Sequence, residues 1–248
     1  MKNRYFDLNI EQVLENWGVY HAIREIIANA LDETILTNSR PIDIFKDEMG
    51  NWHIRDFGRG LNYQHFSQNE NEEKNNAIGI IGKFGVGLKD ALAVFYRHNI
   101  KIKIKSKYGV FSTAMYKKGD FGDMETLHVL ISEINDVGFS GTEFILSVTD
   151  EDLLKAKKLF LTFNQENPIE KTEFGEIYQK SSENAIIYIN GIQVAEEENY
   201  MFDYNITKLN APMRKALNRE RTNIGRTAYA ETVKKLLLKS NSQIVIEQ

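Results

Sequence analysis

Residues 100 to 107 read Ile-Lys-Ile-Lys-Ile-Lys-Ser-Lys. Because successive side chains of a strand point to opposite faces, this alternation puts Ile100, Ile102 and Ile104 on one face and the lysines on the other. Such a strand is half-buried, and the segments around it must supply the rest of one sheet. Val19, Ala22, Ile23, Ile26, Ile27, Ala30, Leu31 and Ile35 recur at helical spacing and predict an amphipathic helix over Val19 to Ile35. Residues 41–45, 51–55, 110–116, 126–134, 142–148 and 202–206 read as further strands, and 88–96, 150–163 and 227–239 as helices. Asn190-Gly191 between apolar runs marks a hairpin over 185–195. A helix first, then strands with helices on one face, predicts an α+β fold: a two-layer α/β sandwich with a mixed, largely antiparallel sheet, not a βαβ array.

The chain has 248 residues, 42% of them apolar, which is enough for a sizeable core. The segment 164–171 is the best boundary, giving a main domain of 1–163 and a short C-terminal α/β extension of 164–248 that is either a reduced second domain or the completion of the sandwich. A net charge of −4 argues against polyanion binding over the whole surface, although a local basic patch such as Lys101, Lys103, Lys105 and Lys107 stays open as a nucleic-acid contact or a solvated sheet face. There is no cysteine, which excludes disulfides, thiolate metal sites and cysteine nucleophiles. No apolar run follows Met1 to Phe6, and none approaches the roughly 18 residues of a membrane span, so the expected setting is cytoplasmic, away from the membrane. Trp17 and Tyr20 either pack the N-terminal segment or grip a partner, and Trp52 is expected in the core.

Three segments carry candidate chemistry. In Glu25-Ile26-Ile27-Ala28-Asn29-Ala30-Leu31-Asp32-Glu33, the polar residues Glu25, Asn29 and Asp32 fall four and three apart and form one stripe. That stripe is either a solvated face or a site: a carboxylate can take a proton from water, and an amide oxygen suits magnesium. Asp56-Phe57-Gly58-Arg59-Gly60 ends a strand in a glycine-rich turn, where a carboxylate can accept from an exocyclic amine and glycine permits close approach; it also reads as an ordinary turn. Gly82-Lys83-Phe84-Gly85-Val86-Gly87-Leu88 runs into a helix and offers backbone N–H groups and Lys83 to anions. It has neither the Gly-Lys-Ser/Thr of a Walker loop nor the preceding strand of a dinucleotide fingerprint.

In this order and at these separations, the three segments together resemble the GHKL superfamily: gyrase-type topoisomerases, the ninety-kilodalton heat-shock chaperones, sensor histidine kinases and MutL proteins. Ser140-Gly141-Thr142 before a strand matches a fourth element, so the resemblance covers roughly residues 10 to 150.

The resemblance implies a Bergerat-type fold that binds ATP with Mg2+. Asp56 and Thr142 would then serve the adenine, with Gly58 and Gly60 beside it. Asn29 would ligate the metal, and Asp32 would support the adenine side or the surrounding shell. The loop from Gly82 through Lys83, Phe84, Gly85, Val86 and Gly87 to Leu88 would wrap the phosphates. Residues 62–81 would form a lid, and Glu25 would be the general base for hydrolysis. Histidine kinases typically lack a glutamate at that position, so Glu25 favours the hydrolysing branches. In those branches a second domain supplies a cation to the γ-phosphate; Asn218-Arg219-Glu220-Arg221 is the candidate, through Arg219 or Arg221, and equally reads as a charged turn. An ATP-driven homodimer is one expectation. A regulatory ATP-binding module with little turnover, at the front of a larger defence or DNA-processing assembly, is the alternative.

Overall fold

A computed structural model describes residues 3–10, 16–67, 79–81, 87–118, 121–132, 138–164, 167–217 and 224–247, without the side chains of 121–123. The chain divides into two units, Met1–Ala156 and Lys157–Gln248.

The first unit runs β1 (Asn3–Asp7), α1 (Val19–Thr37), β2 (Asp43–Lys46), β3 (Trp52–Arg55), a 3₁₀ turn (Tyr63–Phe66), α2 (Gly87–Arg97), β4 (Ile102–Ser106), β5 (Gly109–Lys118), β6 (Phe121–Ser132) and β7 (Thr142–Leu146), then enters α3 (Asp150–Lys158). Its seven strands lie in the order β1-β6-β5-β4-β7-β3-β2. Every pairing among them is antiparallel. The alternation of residues 100–107 appears as expected: Ile102 and Ile104 are buried and Lys101 and Lys103 exposed. Cross-strand partners Ile54, Phe144, Ile104, Phe111 and Ile131 form a buried row. α1 packs on α2 and β3, and α2 on β5. Ala22, Ile23, Ile26 and Ile27 of α1 and Ala91, Leu92, Val94 and Phe95 of α2 fill the interior between them. α1 ends at Asn38, whose left-handed φ of 49° turns the chain and lets Ser39 N–H reach the Thr34 carbonyl.

The second unit runs α4 (Leu161–Asn164), β8 (Glu170–Thr172), β9 (Gly175–Gln179), β10 (Ala185–Ile189), β11 (Ile192–Glu197), β12 (Phe202–Ile206), α5 (Ala211–Ala216), α6 (Arg226–Leu238) and α7 (Gln243–Ile246). Its five-stranded sheet has the order β11-β10-β12-β9-β8, with β10 and β12 parallel. Asn190 and Gly191 both have positive φ (49° and 81°), which is the turn that a two-residue hairpin needs.

The expectation of one Bergerat-type two-layer sandwich with a mixed sheet and a short extension is therefore corrected. The described residues form two antiparallel-rich sheets, of seven and five strands, and the class is α+β only in that coarse sense. The first sheet is wholly antiparallel, and the one parallel pair among the described residues lies in the second. The physical reason is in the later residues. Ile177, Ile187, Ile189, Val194, Tyr204 and Ile206 of the second sheet, with Tyr229, Val233 and Leu236 of α6, bury a core of their own. Trp52 is half-buried, its Nε1 donating to Asp150 Oδ1 at 2.9 Å, whereas Trp17 is the buried indole. No helix among the described residues is long and apolar enough to cross a membrane.

Candidate functional site

The polar stripe of α1 is not a solvated face: Glu25 is 2% exposed and Asp32 0%, while Asn29 between them is half-buried. Buried carboxylates persist only when charge partners or donors replace the lost water, and each acid on this helix reaches a different segment.

Glu25 Oε1 accepts from Arg24 Nε at 3.1 Å and Nη2 at 3.0 Å, and Arg24 is itself buried, its guanidinium 5.0 Å from the Trp17 ring centre. The same carboxylate abuts Gly87, the first residue of α2. A Cβ built there would stand 3.1 Å from Glu25 Cδ and collide with Oε2. Glycine at that place lets the helix start approach the acid. Asp32 Oδ1 accepts the Ile81 N–H at 2.7 Å. Glu33 takes a fork from Arg59, with Nε to Oε1 at 2.9 Å and Nη2 to Oε2 at 3.0 Å, and also accepts Arg59 N–H at 2.8 Å.

Asp56, just after β3, is buried. It accepts the Gly58 N–H at 2.9 Å and hydrogen bonds from the Thr142 side chain and backbone. Burial pushes its carboxyl up to about 6, and the negative charge of Glu33 adds to the rise, while the Gly58 and Thr142 donors oppose it. The turn locks onto the chain before β7: Asp56 N–H donates to the Thr142 carbonyl at 2.9 Å and Gly141 N–H to the Gly58 carbonyl at 3.1 Å.

The glycines of this turn serve its own packing. A Cβ on Gly58 would stand 2.6 Å from Glu33 Oε1, and one on Gly60 (φ 85°) 2.8 Å from Ser106 Oγ and 3.7 Å from Lys107 Cγ. Lys107 thus lies beside the Asp56 turn.

Of the residues singled out in the sequence, Glu25, Asn29, Asp32, Asp56, Gly58, Gly60, Gly87, Leu88 and Thr142 are described. Leu88 is buried in the first turn of α2. Gly82, Lys83, Phe84, Gly85 and Val86, the cation candidates Arg219 and Arg221, and most of the expected lid lie outside the described residues. Arg24, Glu33 and Arg59 were missed. The first two sit in a helix whose charged positions read as solvent-facing, and nothing local announces their partners; Arg59 lies within the turn but pairs across 26 residues. Trp17 stacks on His21 at 5.8 Å and sits under Arg24, so it packs the N-terminal segment.

Among the described residues no group of three or more His, Cys, Asp or Glu is placed to hold a metal ion. A magnesium ion that keeps its waters and binds mainly to phosphate needs only one or two protein oxygens. A lone amide such as Asn29 fits that donor set.

Residues 151–243 match the family model described as the Mycoplasma pneumoniae MPN635 N-terminal domain, which falls almost wholly on the second unit. An uncharacterized protein of Mycoplasma pneumoniae is 36% identical over 243 residues, covering 96% of this chain and 98% of its own length. A second uncharacterized protein of the same organism is 38% identical over 68 residues, 27% of this chain and 19% of the relative. On the full-length match, the chain belongs to the family of that first Mycoplasma pneumoniae protein.

Proposed function

We propose that the first unit binds ATP with Mg2+ and hydrolyses it, with Glu25 as general base. The observation that carries this reading is the convergence on α1. Through Glu25 and Glu33, this helix of the first motif touches Gly87 of the third and the turn of the second, and through Asp32 it holds Ile81, the last residue of the expected lid. Chance likeness in three separate stretches gives no reason for them to meet in space.

In this reading Asp56, as a carboxylate, accepts the exocyclic amine of adenine, and the Thr142 hydroxyl steadies it. Asn29 offers its amide oxygen to the cation. Magnesium, when bound with the nucleotide, supplies positive charge to the phosphates. Glu25 orients a water and takes its proton. Arg24 fixes the Glu25 carboxylate in place through its two donors, and Gly87 leaves the acid's second oxygen facing the start of α2, a helix end that favours anions. An ATP-dependent homodimer and a cytoplasmic setting belong to the same proposal.

Phosphate release from the full chain and from Glu25→Ala, alongside ATP binding by calorimetry, tests it. The expected result is turnover that falls about 100-fold or more in the variant with binding retained. Binding without turnover in both proteins would leave only the regulatory module, and no binding in either would remove the proposal.

A further inference from the structure

We propose that the face of the seven-stranded sheet opposite the buried row is a binding surface for single-stranded nucleic acid. The observations are independent of the ATP site and lie on the other side of the same sheet.

Register defines the face. Tyr5, Leu130 and Ser112 are cross-strand partners on β1, β6 and β5, and Lys103, Ile145, His53 and Phe45 are partners on β4, β7, β3 and β2. Cross-strand partners share a face, so this row spans the sheet, roughly 29 Å at the usual strand spacing. An antiparallel sheet commonly leaves one face to water. Here the wet face carries large rings: Tyr5 is 51% exposed, Phe45 43% and Tyr116 37%. Tyr5 and Tyr116 meet edge to face at 4.6 Å at one end, and Phe45 stacks on His53 at 4.6 Å and 18° at the other. These contacts brace the rings while leaving part of each uncovered.

Charge on the face is uneven. The acids toward its centre and its Phe45 end have partners: Glu143 lies 3.0 Å from His53 Nδ1 and 3.7 Å from Lys105, Asp47 lies 3.1 Å from His53 Nε2, and Asp43 lies 3.4 Å from Arg40. Asp7, at the Tyr5 end, accepts the Asn9 N–H at 2.9 Å. Among the described residues no carboxylate is within ion-pairing distance of Lys101 or Lys103, both exposed at the centre between the aromatic ends. The surplus is therefore positive and central, and the stacking surfaces flank it. A flexible polyanion with flat apolar rings complements this arrangement: phosphates meet the lysines and unstacked bases lie on the rings. A duplex keeps its base faces stacked internally and has nothing for the aromatics.

The test is fluorescence anisotropy of labelled oligo-dT, oligo-U and a duplex of equal length with the full chain. The proposal expects both single strands to bind and the duplex to bind at least tenfold more weakly. Lys101→Ala with Lys103→Ala should lower the slope of log affinity against log salt by about 1.4. Phe45→Ala and Tyr5→Ala should each weaken binding about tenfold. Lys234→Ala with Lys239→Ala, exposed lysines of the second unit, should leave affinity unchanged. Absence of single-strand binding, equal binding of duplex, or equal loss in the two lysine pairs would overturn the proposal. Far-UV circular dichroism shows that each variant is folded.

Discussion

Arg24 and Glu25, neighbours in sequence, form an ion pair in which both side chains are almost wholly removed from water (1% and 2% exposed). Breaking such a pair leaves an uncompensated buried charge, whereas replacing both partners with apolar groups removes the problem. Arg24→Ala should cost about 3–5 kcal/mol in urea unfolding, and Arg24→Met with Glu25→Leu should recover most of it. Equal losses in the single and double variants would show that Arg24 matters for packing alone.

Asp56 is useful to an adenine amine only when ionised, and burial holds its carboxyl up at about 6. If Asp56 holds the base as proposed, ATP affinity should fall as pH drops through about 6, and Asp56→Asn should bind weakly and without pH dependence across the same range. Calorimetric titrations from pH 5 to 8 would show this. A wild-type affinity that does not change with pH would place the base elsewhere.

A second group opposes the same acid in its effect on stability. A raised folded-state value for Asp56 means that its contribution is fully present below its unfolded value of 3.8 and lost as pH rises through about 6. Burial, and then the positive charge of Arg24, lower His21 from 6.5 to about 4, so the native state resists protonating it and stability is lost as pH falls below 6.5. The two trends oppose each other between pH 4 and 6. Asp56→Asn should expose the histidine's trend as a steeper acid destabilisation, and His21→Asn should reverse the slope. Melting temperatures across that window measure both.

The Glu33–Arg59 fork ties the Asp56 turn to α1 while half of Arg59 is exposed, so its stability value is small, on the order of 1 kcal/mol. Its effect should appear in binding instead. Arg59→Ala should weaken ATP several-fold with little change in melting temperature, and a double-mutant cycle with Glu33→Ala should show coupling.

Gly141 has φ 78°, and a Cβ there would lie 2.8 Å from Phe57 Cα and closer still to the Asp56 carbonyl. Neither backbone can give way without unlocking the turn from β7. Gly141→Ala should cost on the order of 3 kcal/mol, read by chemical denaturation.

What was legible in the sequence was what local periodicity encodes. Helix α1, the alternating strand at 100–107 and the Asn190-Gly191 hairpin all stand where the spacing puts them, because the pattern of burial repeats within each segment. β1 was not legible: its five residues alternate weakly and pair with β6 more than a hundred residues later. β8, three residues long, is too short to show a period, and β9 sets its apolar residues Ile177 and Tyr178 side by side rather than alternating, so the second sheet read as an extension. At the site, residue types and spacing singled out Glu25, Asp32 and Asp56, but not which of them are buried. Arg24 and Glu33 carry side chains that helices usually give to solvent, and only the tertiary structure turns them inward.

Residues 81 and 87 are both fastened to α1, one through Asp32 and the other against Glu25. The two acids lie seven residues apart on one helix, roughly 10 Å along its axis. Both attachments therefore ride on the same rigid element, and any change that tilts or shortens α1 moves residues 81 and 87 together rather than one at a time.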